Sequence, residues 1–176
     1  MEVHILLELQ ENRQDWLTTI LKAISHIGDF GLVWIVLAVL FLATASYRLL
    51  GIKVLTALTL VLLLNNLLLK NLIDRQRPFE VISELSRLVA EPAGASFPSG
   101  HTAGAFAAGW LLYKYLPRRY GLPLLILGAL MGFSRMYVGV HYPSDVVAGA
   151  IVGCLCGWLA DLLITKYWTV RKSHKK

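Results

Sequence analysis

Long apolar blocks separated by short polar strings make up most of this chain. Five blocks read as helices able to cross a bilayer: residues 30–47, 52–73, 100–116, 121–137 and 144–164. The first is uncharged throughout, and its length is close to what a hydrocarbon core demands; the fourth is short and would lie with little tilt. Ahead of them, Val3, Leu6, Leu7, Trp16, Leu17, Ile20, Leu21 and Ile24 alternate with Glu2, Glu8, Glu11, Arg13, Asp15 and Lys22. That pattern predicts an amphipathic helix over residues 1–27 lying in the membrane interface. No basic stretch precedes a long apolar run there, which argues against a cleavable signal peptide. The expected architecture is all-α, a polytopic membrane helix bundle of about five transmembrane helices plus the interfacial helix. It forms a single domain over residues 1–176, with the transmembrane core at 28–165 and a basic tail at 166–176.

Composition agrees. Of 176 residues, 56% are hydrophobic and 16% charged, and the mean hydropathy is +0.60, far from the balance of a soluble domain. A net charge of +6 raises the question of nucleic acid, but the cations are scattered between apolar blocks instead of forming a stripe. Membrane topology explains them better. Arg48, Lys53, Lys114, Arg118, Arg119, Lys166, Arg171, Lys172, Lys175 and Lys176 fall at one set of helix ends, ten of the 17 Lys and Arg residues. By the positive-inside rule these ends and the C-terminal tail are cytoplasmic, and the other ends face outward. Cys154 and Cys156 lie two apart in one apolar block, where they read as small apolar fillers. Gly149, Gly153 and Gly157, with Gly104/Ala108 and Ala105/Gly109, repeat every four residues and predict close helix packing.

Three polar strings on the outward ends carry the candidate chemistry: Lys70-Asn-Leu-Ile-Asp-Arg-Gln-Arg77-Pro78, Pro98-Ser99-Gly100-His101, and Ser134-Arg135 followed by His141 and Asp145. Gly100 permits a tight turn, the free N–H groups of a helix start favour an anion, and Ser99 adds a hydroxyl; a plain Ser99 N-cap beside an incidental histidine is the alternative. Lys70 closes an apolar helix and Arg77 returns from the loop, a point charge and a planar fork suited to phosphate oxygens. Arg75 and Arg87 suit snorkelling at the membrane boundary. Asn66, one turn beneath Lys70, suits a helix-to-helix hydrogen bond. Pro143 breaks any helix through His141, which leaves His141 in a turn and Asp145 in the first turn of the next helix. A carboxylate there can fix the imidazole tautomer and free the other nitrogen to attack; Asp145 as a simple helix cap is the alternative.

A chance match to the four fixed residues of either later string arises in roughly one chain of this length per thousand, at ~1/20 per position. All three strings occur in order at outer helix ends. The arrangement Lys-x6-Arg-Pro, Pro-Ser-Gly-His, Ser-Arg-x5-His-x3-Asp resembles the signature of the type-2 phosphatidic acid phosphatase superfamily, which includes bacterial membrane lipid phosphatases and vanadium haloperoxidases. The motifs run from 70 to 145 with no departure at any motif position. The resemblance implies that His141 is a nucleophile forming a phosphohistidine, that Asp145 orients it, and that His101 protonates the leaving oxygen and then activates water. It implies that Lys70, Arg77, Ser99, Gly100 and Arg135 bind the phosphoryl oxygens, with no metal and no other cofactor. The partner is then a lipid phosphate in the plasma membrane: undecaprenyl diphosphate first, phosphatidylglycerophosphate or phosphatidic acid next. A lipid-phosphate binding protein or flippase would need the anion cradle but not two histidines and Asp145.

Overall fold

The computed structural model describes residues 1–173, and every regular element among them is helical. In chain order these are α1 (Glu2–Glu11), α2 (Asp15–Ile27), α3 (Leu32–Ala43), α4 (Arg48–Val61), α5 (Lys70–Ile73), α6 (Pro78–Val81), α7 (Gly100–Tyr115), α8 (Arg118–Tyr137) and α9 (Pro143–Ser173). A wide π-helical stretch, Leu62–Leu69, joins α4 to α5. Residues 174–176 of the expected basic tail lie outside the described part of the chain.

The sequence pattern predicts one helix over residues 1–27; the structure has two. Asn12 ends α1 by bonding its own side-chain amide to the Glu8 carbonyl at 2.8 Å, the local competition with the helix ladder that Asn favours. Arg13 then turns inward and donates to the carbonyls of Ser86 and Tyr137, both at 2.9 Å.

Two stretches, Ala45–Val81 and Pro143–Arg171, are long and apolar enough to cross a membrane. The pair Asp15–Ile27 and Asp29–Ala43, bent by 50°, makes a third if it is one span. The other two expected blocks are also helical, as α7 and α8, but α7 has only 16 residues, shorter than a bilayer ordinarily needs. Leu62, Leu63, Leu67, Leu68, Ile151, Leu155 and Leu162 are exposed on α4's continuation and on α9, a surface suited to lipid and not to water.

Helix α7 is the hub, packed against α9, α8 and α4. Its buried face is Ala103, Ala105, Ala107, Ala108, Leu111 and Leu112. The small-residue stripes work as expected. A Cβ at Gly149 would stand 2.6 Å from the Ser99 carbonyl, one at Gly157 2.9 Å from that of Ala107, and one at Gly153 would overlap the Ala103 carbonyl. Three residues of α9 spaced four apart are therefore bare so that it can lie on the α7 backbone. Gly128 of α8 approaches the Ala105 carbonyl in the same way. This close contact fixes the starts of α7 and α9 side by side, and the Ser99 N–H donates to the Asp145 carbonyl at 3.0 Å. Cys154 and Cys156 are free thiols in α9, and Cys156 is buried in the core.

Candidate functional site

The turn from α8 into α9 is built by local rules. Gly139 has φ +77°, the left-handed conformation that ends a helix at little cost only for glycine. Its N–H bonds the Met136 carbonyl at 3.0 Å and the Val140 N–H bonds the Arg135 carbonyl at 3.2 Å, the paired bonds of a Schellman ending. Pro143 opens α9, where its missing N–H is no loss. Asp145, in the first turn of α9, reaches back to the Tyr142 N–H at 2.8 Å. Asp145 is thus a helix cap whose carboxylate also faces His141.

Asp145 Oδ2 accepts from Ser96 Oγ at 2.5 Å and lies 3.4 Å from His141 Nδ1. Its Oδ1 accepts from Arg75 at 2.7 Å. Arg75 is therefore no snorkelling cation. It clamps Asp145, donates to Ser144 Oγ at 2.7 Å, stacks 3.9 Å above the Tyr142 ring, and pairs with Glu2 at 2.9 Å. Glu2 also accepts from the Ser144 N–H at 2.9 Å. Partial burial pushes its carboxyl up, but the Ser144 and Arg75 donors outweigh it and hold the group below the usual carboxylate range. The N-terminal helix is tied to the site through this carboxylate. Ser96 and Arg75 were not legible as site residues: a lone serine in a loop and one arginine among several carry no spacing signal.

His141 is 2% exposed and Asp145 is fully buried. With Nδ1 toward Asp145, His141 presents Nε2 toward Arg77, whose Nη1 is 3.5 Å away. Burial pushes the imidazole below its ordinary range; the bond to Asp145 pulls it back, and the charges of Arg135 and Arg77 add to the depression. A neutral imidazole with a lone pair on Nε2 is the favoured state.

Arg77 is held by the turn carbonyls, donating to Gly94 and Val140 at 3.0 Å and to Ala93 and Ala95 at 3.3 Å. Its position is thereby fixed beside His141. Arg135 bonds Ser25 Oγ through Nη1, while its buried Nε has no partner. A buried guanidinium N–H without an acceptor is costly and suits an incoming anion. Lys70 is half-buried, its ammonium makes no hydrogen bond among the described residues, and it feels the charges of Arg77, Arg135 and Asp145. The left-handed Asp74 (φ +43°) ends the helix just beyond it.

Ser99 caps α7, its hydroxyl accepting from the Thr102 hydroxyl at 3.0 Å and, more loosely, from the Thr102 N–H at 3.5 Å. Gly100 leaves room for Asn66, whose Oδ1 a Cβ there would approach to 2.9 Å. The expected helix-to-helix bond belongs to Asn65, whose amide donates to Asn66 at 2.9 Å and to the Pro98 carbonyl at 3.4 Å. The widened π turn brings both asparagines to the Pro98–Gly100 turn, a distortion common at functional sites. His101 stands at the start of α7 with Nε2 2.9 Å from Asp29 Oδ1. The structure thus brings His141, Asp145 and Arg77 into direct proximity, places Ser99 and Gly100 beside Asp145 through the α7–α9 contact, and sets Lys70, Arg135 and His101 within electrostatic reach of one another. Among the described residues, no group of three His, Cys, Asp or Glu side chains is arranged to hold a metal ion.

The PAP2 superfamily profile matches residues 50–169. The chain is 44% identical to an undecaprenyl-diphosphatase of Bacillus subtilis over 91 residues, covering 49% of this chain and 46% of that protein, so it spans about half the length of that relative. It is 35% identical to a decaprenylphosphoryl-5-phosphoribose phosphatase of Mycobacterium tuberculosis over 80% of this chain and 76% of that one. It is 31% identical to phosphatidylglycerophosphatase B of B. subtilis over 84% of this chain and 75% of that one. Its fold is similar to the crystal structure of Aquifex aeolicus LpxE, with a TM-score of 0.80 at 26% identity over 90% of this chain and 93% of that one.

Proposed function

The chain belongs to the PAP2 superfamily, and from that premise we propose that it is a membrane phosphatase that hydrolyses a phosphate- or diphosphate-headed lipid, undecaprenyl diphosphate first, through a phosphohistidine. The observation that carries the chemistry is His141, buried between Asp145 and Arg77 with Nε2 turned to a cluster of cations that holds an orphan Arg135 N–H and an unpaired Lys70.

His141 Nε2 attacks phosphorus while Asp145 holds Nδ1–H and stabilises the charge that develops on the ring. Lys70, Arg77, Arg135, the Ser99 hydroxyl and the first N–H groups of α7 at Gly100 take the three phosphoryl oxygens and their growing charge. His101 gives a proton to the leaving oxygen as its bond to phosphorus breaks. It then takes one from the water that attacks the phosphohistidine, releasing inorganic phosphate and restoring His141. No step calls for a metal or other cofactor. About five of the helices span the bilayer, α1 lies in the interface, and the cation-rich ends are cytoplasmic. The site then opens to the outer face, where a spent polyprenyl carrier presents its diphosphate.

Phosphate release from reconstituted protein tests this, comparing a polyprenyl diphosphate, phosphatidylglycerophosphate and phosphatidic acid. Turnover is expected with the polyprenyl diphosphate and unchanged by a chelator, and an acid-labile phosphoryl group should be trapped on His141. The likeness to phosphatidylglycerophosphatase B over most of the chain favours phosphatidylglycerophosphate as the second reading, and its faster turnover would reverse the ranking. Binding without phosphate release would leave a lipid-phosphate carrier or flippase. Sidedness is tested with single cysteines at Glu91 and Lys172 in a background lacking Cys154 and Cys156. An impermeant thiol reagent should label the first in intact cells and spare the second.

A further inference from the structure

The break between α2 and α3 carries more than a bend. Phe30 and Gly31 have φ +56° and +69°, which turns the chain sharply and swings the segment around Asp29 over the start of α7. Gly28 permits the approach: a Cβ there would overlap Met131 Sδ and lie 3.0 Å from His101 Cδ2. Asp29 thereby lands on the site from outside the three polar strings. Its Oδ1 bonds His101 Nε2 at 2.9 Å and its Oδ2 bonds His26 Nδ1 at 3.0 Å. One turn earlier, Ser25 bonds Arg135. The last turn of α2 and the short helix after it (Asp29–Gly31) thus reach two of the candidate site residues at once.

His101 stands at the positive N-terminal end of α7, within electrostatic reach of Arg135 and Lys70, with the bare Gly28 leaving room beside its ring. Asp29 is the carboxylate that bonds it, and His26 holds that carboxylate from the exposed side. We propose that Asp29 is the positioning residue for His101, fixing the proton on Nε2 so that Nδ1 is the nitrogen that exchanges a proton with the reacting oxygens. Nδ1–H passes to the leaving oxygen, leaving a neutral ring still bonded through Nε2–H to Asp29. In the second step Nδ1 takes the proton of the attacking water. This rests on the proposed phosphatase reading, in which His101 is the acid and base.

The test uses full-length protein in detergent micelles, with a short-chain phosphatidic acid and with p-nitrophenyl phosphate, whose leaving phenolate needs little protonation. Asp29→Asn and Asp29→Ala should lower kcat on the phosphatidic acid between about 10- and 100-fold, the usual size of an effect exerted through a bonded partner. The loss in the phosphorylation burst on p-nitrophenyl phosphate should be a fraction of that. The basic limb of the kcat profile should move acidward by about one pH unit, and Asp29→Glu should recover much of the rate with the limb near its original place. Equal losses on both substrates with an unmoved pH profile would reduce Asp29 to a structural contact, and wild-type rates in Asp29→Ala would remove it from the reaction altogether. In either case a dead His101→Ala leaves the phosphatase reading standing. Near wild-type activity in His101→Ala would instead overturn that reading, and with it the premise for Asp29.

Discussion

Two charged clusters lie along the same helices and are finished in opposite ways. Lys53 lies in the second turn of α4 and Lys70 follows its π-helical continuation; Asp145 lies in the first turn of α9 and Asp161 sixteen residues on, so each pair is separated by roughly 25 Å of helix. At the Lys53 end every group is satisfied. Lys53 Nζ donates to Asp161 at 2.6 Å, Tyr115 at 2.7 Å and Thr165 at 2.9 Å. Asp161 takes further bonds from Tyr115 at 2.6 Å and Lys114 at 2.7 Å. At the Lys70 end, among the described residues, the Lys70 ammonium has no hydrogen bond and Arg135 Nε and Asn65 Oδ1 are buried without partners. A buried charge is expensive unless paired. The first cluster meets that cost with its own residues and clasps α4, α7 and α9, whereas the second leaves the Lys70 ammonium and the Arg135 N–H open, the donors that the proposed phosphoryl group would meet. Satisfaction, not charge, separates a structural knot from a site.

The sharpest break of this comparison is at His141. His141→Ala should lower phosphate release at least about a thousandfold, as loss of a nucleophile does, with inserted protein and melting temperature near wild type. The trapped phosphoryl group should vanish with it. If that variant still turned over lipid phosphate, the two ends would not differ in kind. Next in size is Arg135→Lys, expected to cost about a hundredfold in kcat because a point charge cannot replace the guanidinium N–H aimed at the anion. Lysine restoring full rate would mean that only net charge matters there.

The opposite end should respond in stability. Asp161→Asn leaves Lys53 buried without its anion and should destabilise the protein by about 3 kcal/mol, read by denaturation in detergent, while turnover per folded molecule stays near wild type. Lys53→Met combined with Asp161→Leu should regain much of that loss, because an apolar pair of similar size needs no partner. The smallest effect is on pH. In the proposed mechanism the nucleophile must be neutral, and burial holds His141 below the ordinary imidazole range, so the acid limb of kcat/KM should fall below pH 6.5. Stability follows the same sign. As pH drops through the unfolded histidine's range the unfolded chain takes a proton that the folded chain refuses, so stability falls. An acid limb at or above 6.5 would contradict the depressed imidazole.

Most of the helices and the candidate centre were legible in one dimension. Apolar blocks mark α3, α4, α7, α8 and α9 because lipid-facing helices have no need of polar positions, and the glycine stripe of α9 announces its contact with α7 by spacing alone. The three strings were legible because His141 and Asp145, or Ser99, Gly100 and His101, are brought close by a single local turn. The break at Asn12, the π turn at Leu62–Leu69 and the clamp of Arg75 on Asp145 were not, since each depends on what lies opposite.

By itself the sequence determined the membrane character, the order of the helices and the local turns that carry the two histidines, because those follow from periodicity and from residues a few positions apart. Only the tertiary structure decided the partners. Asp29 meets His101 across 72 residues, Ser25 meets Arg135 across 110, and Lys53 meets Asp161 across 108. Such pairs leave no spacing in the chain, because a lone polar residue looks the same whether it faces water, lipid or a charge. Packing alone selects the one whose burial must be compensated.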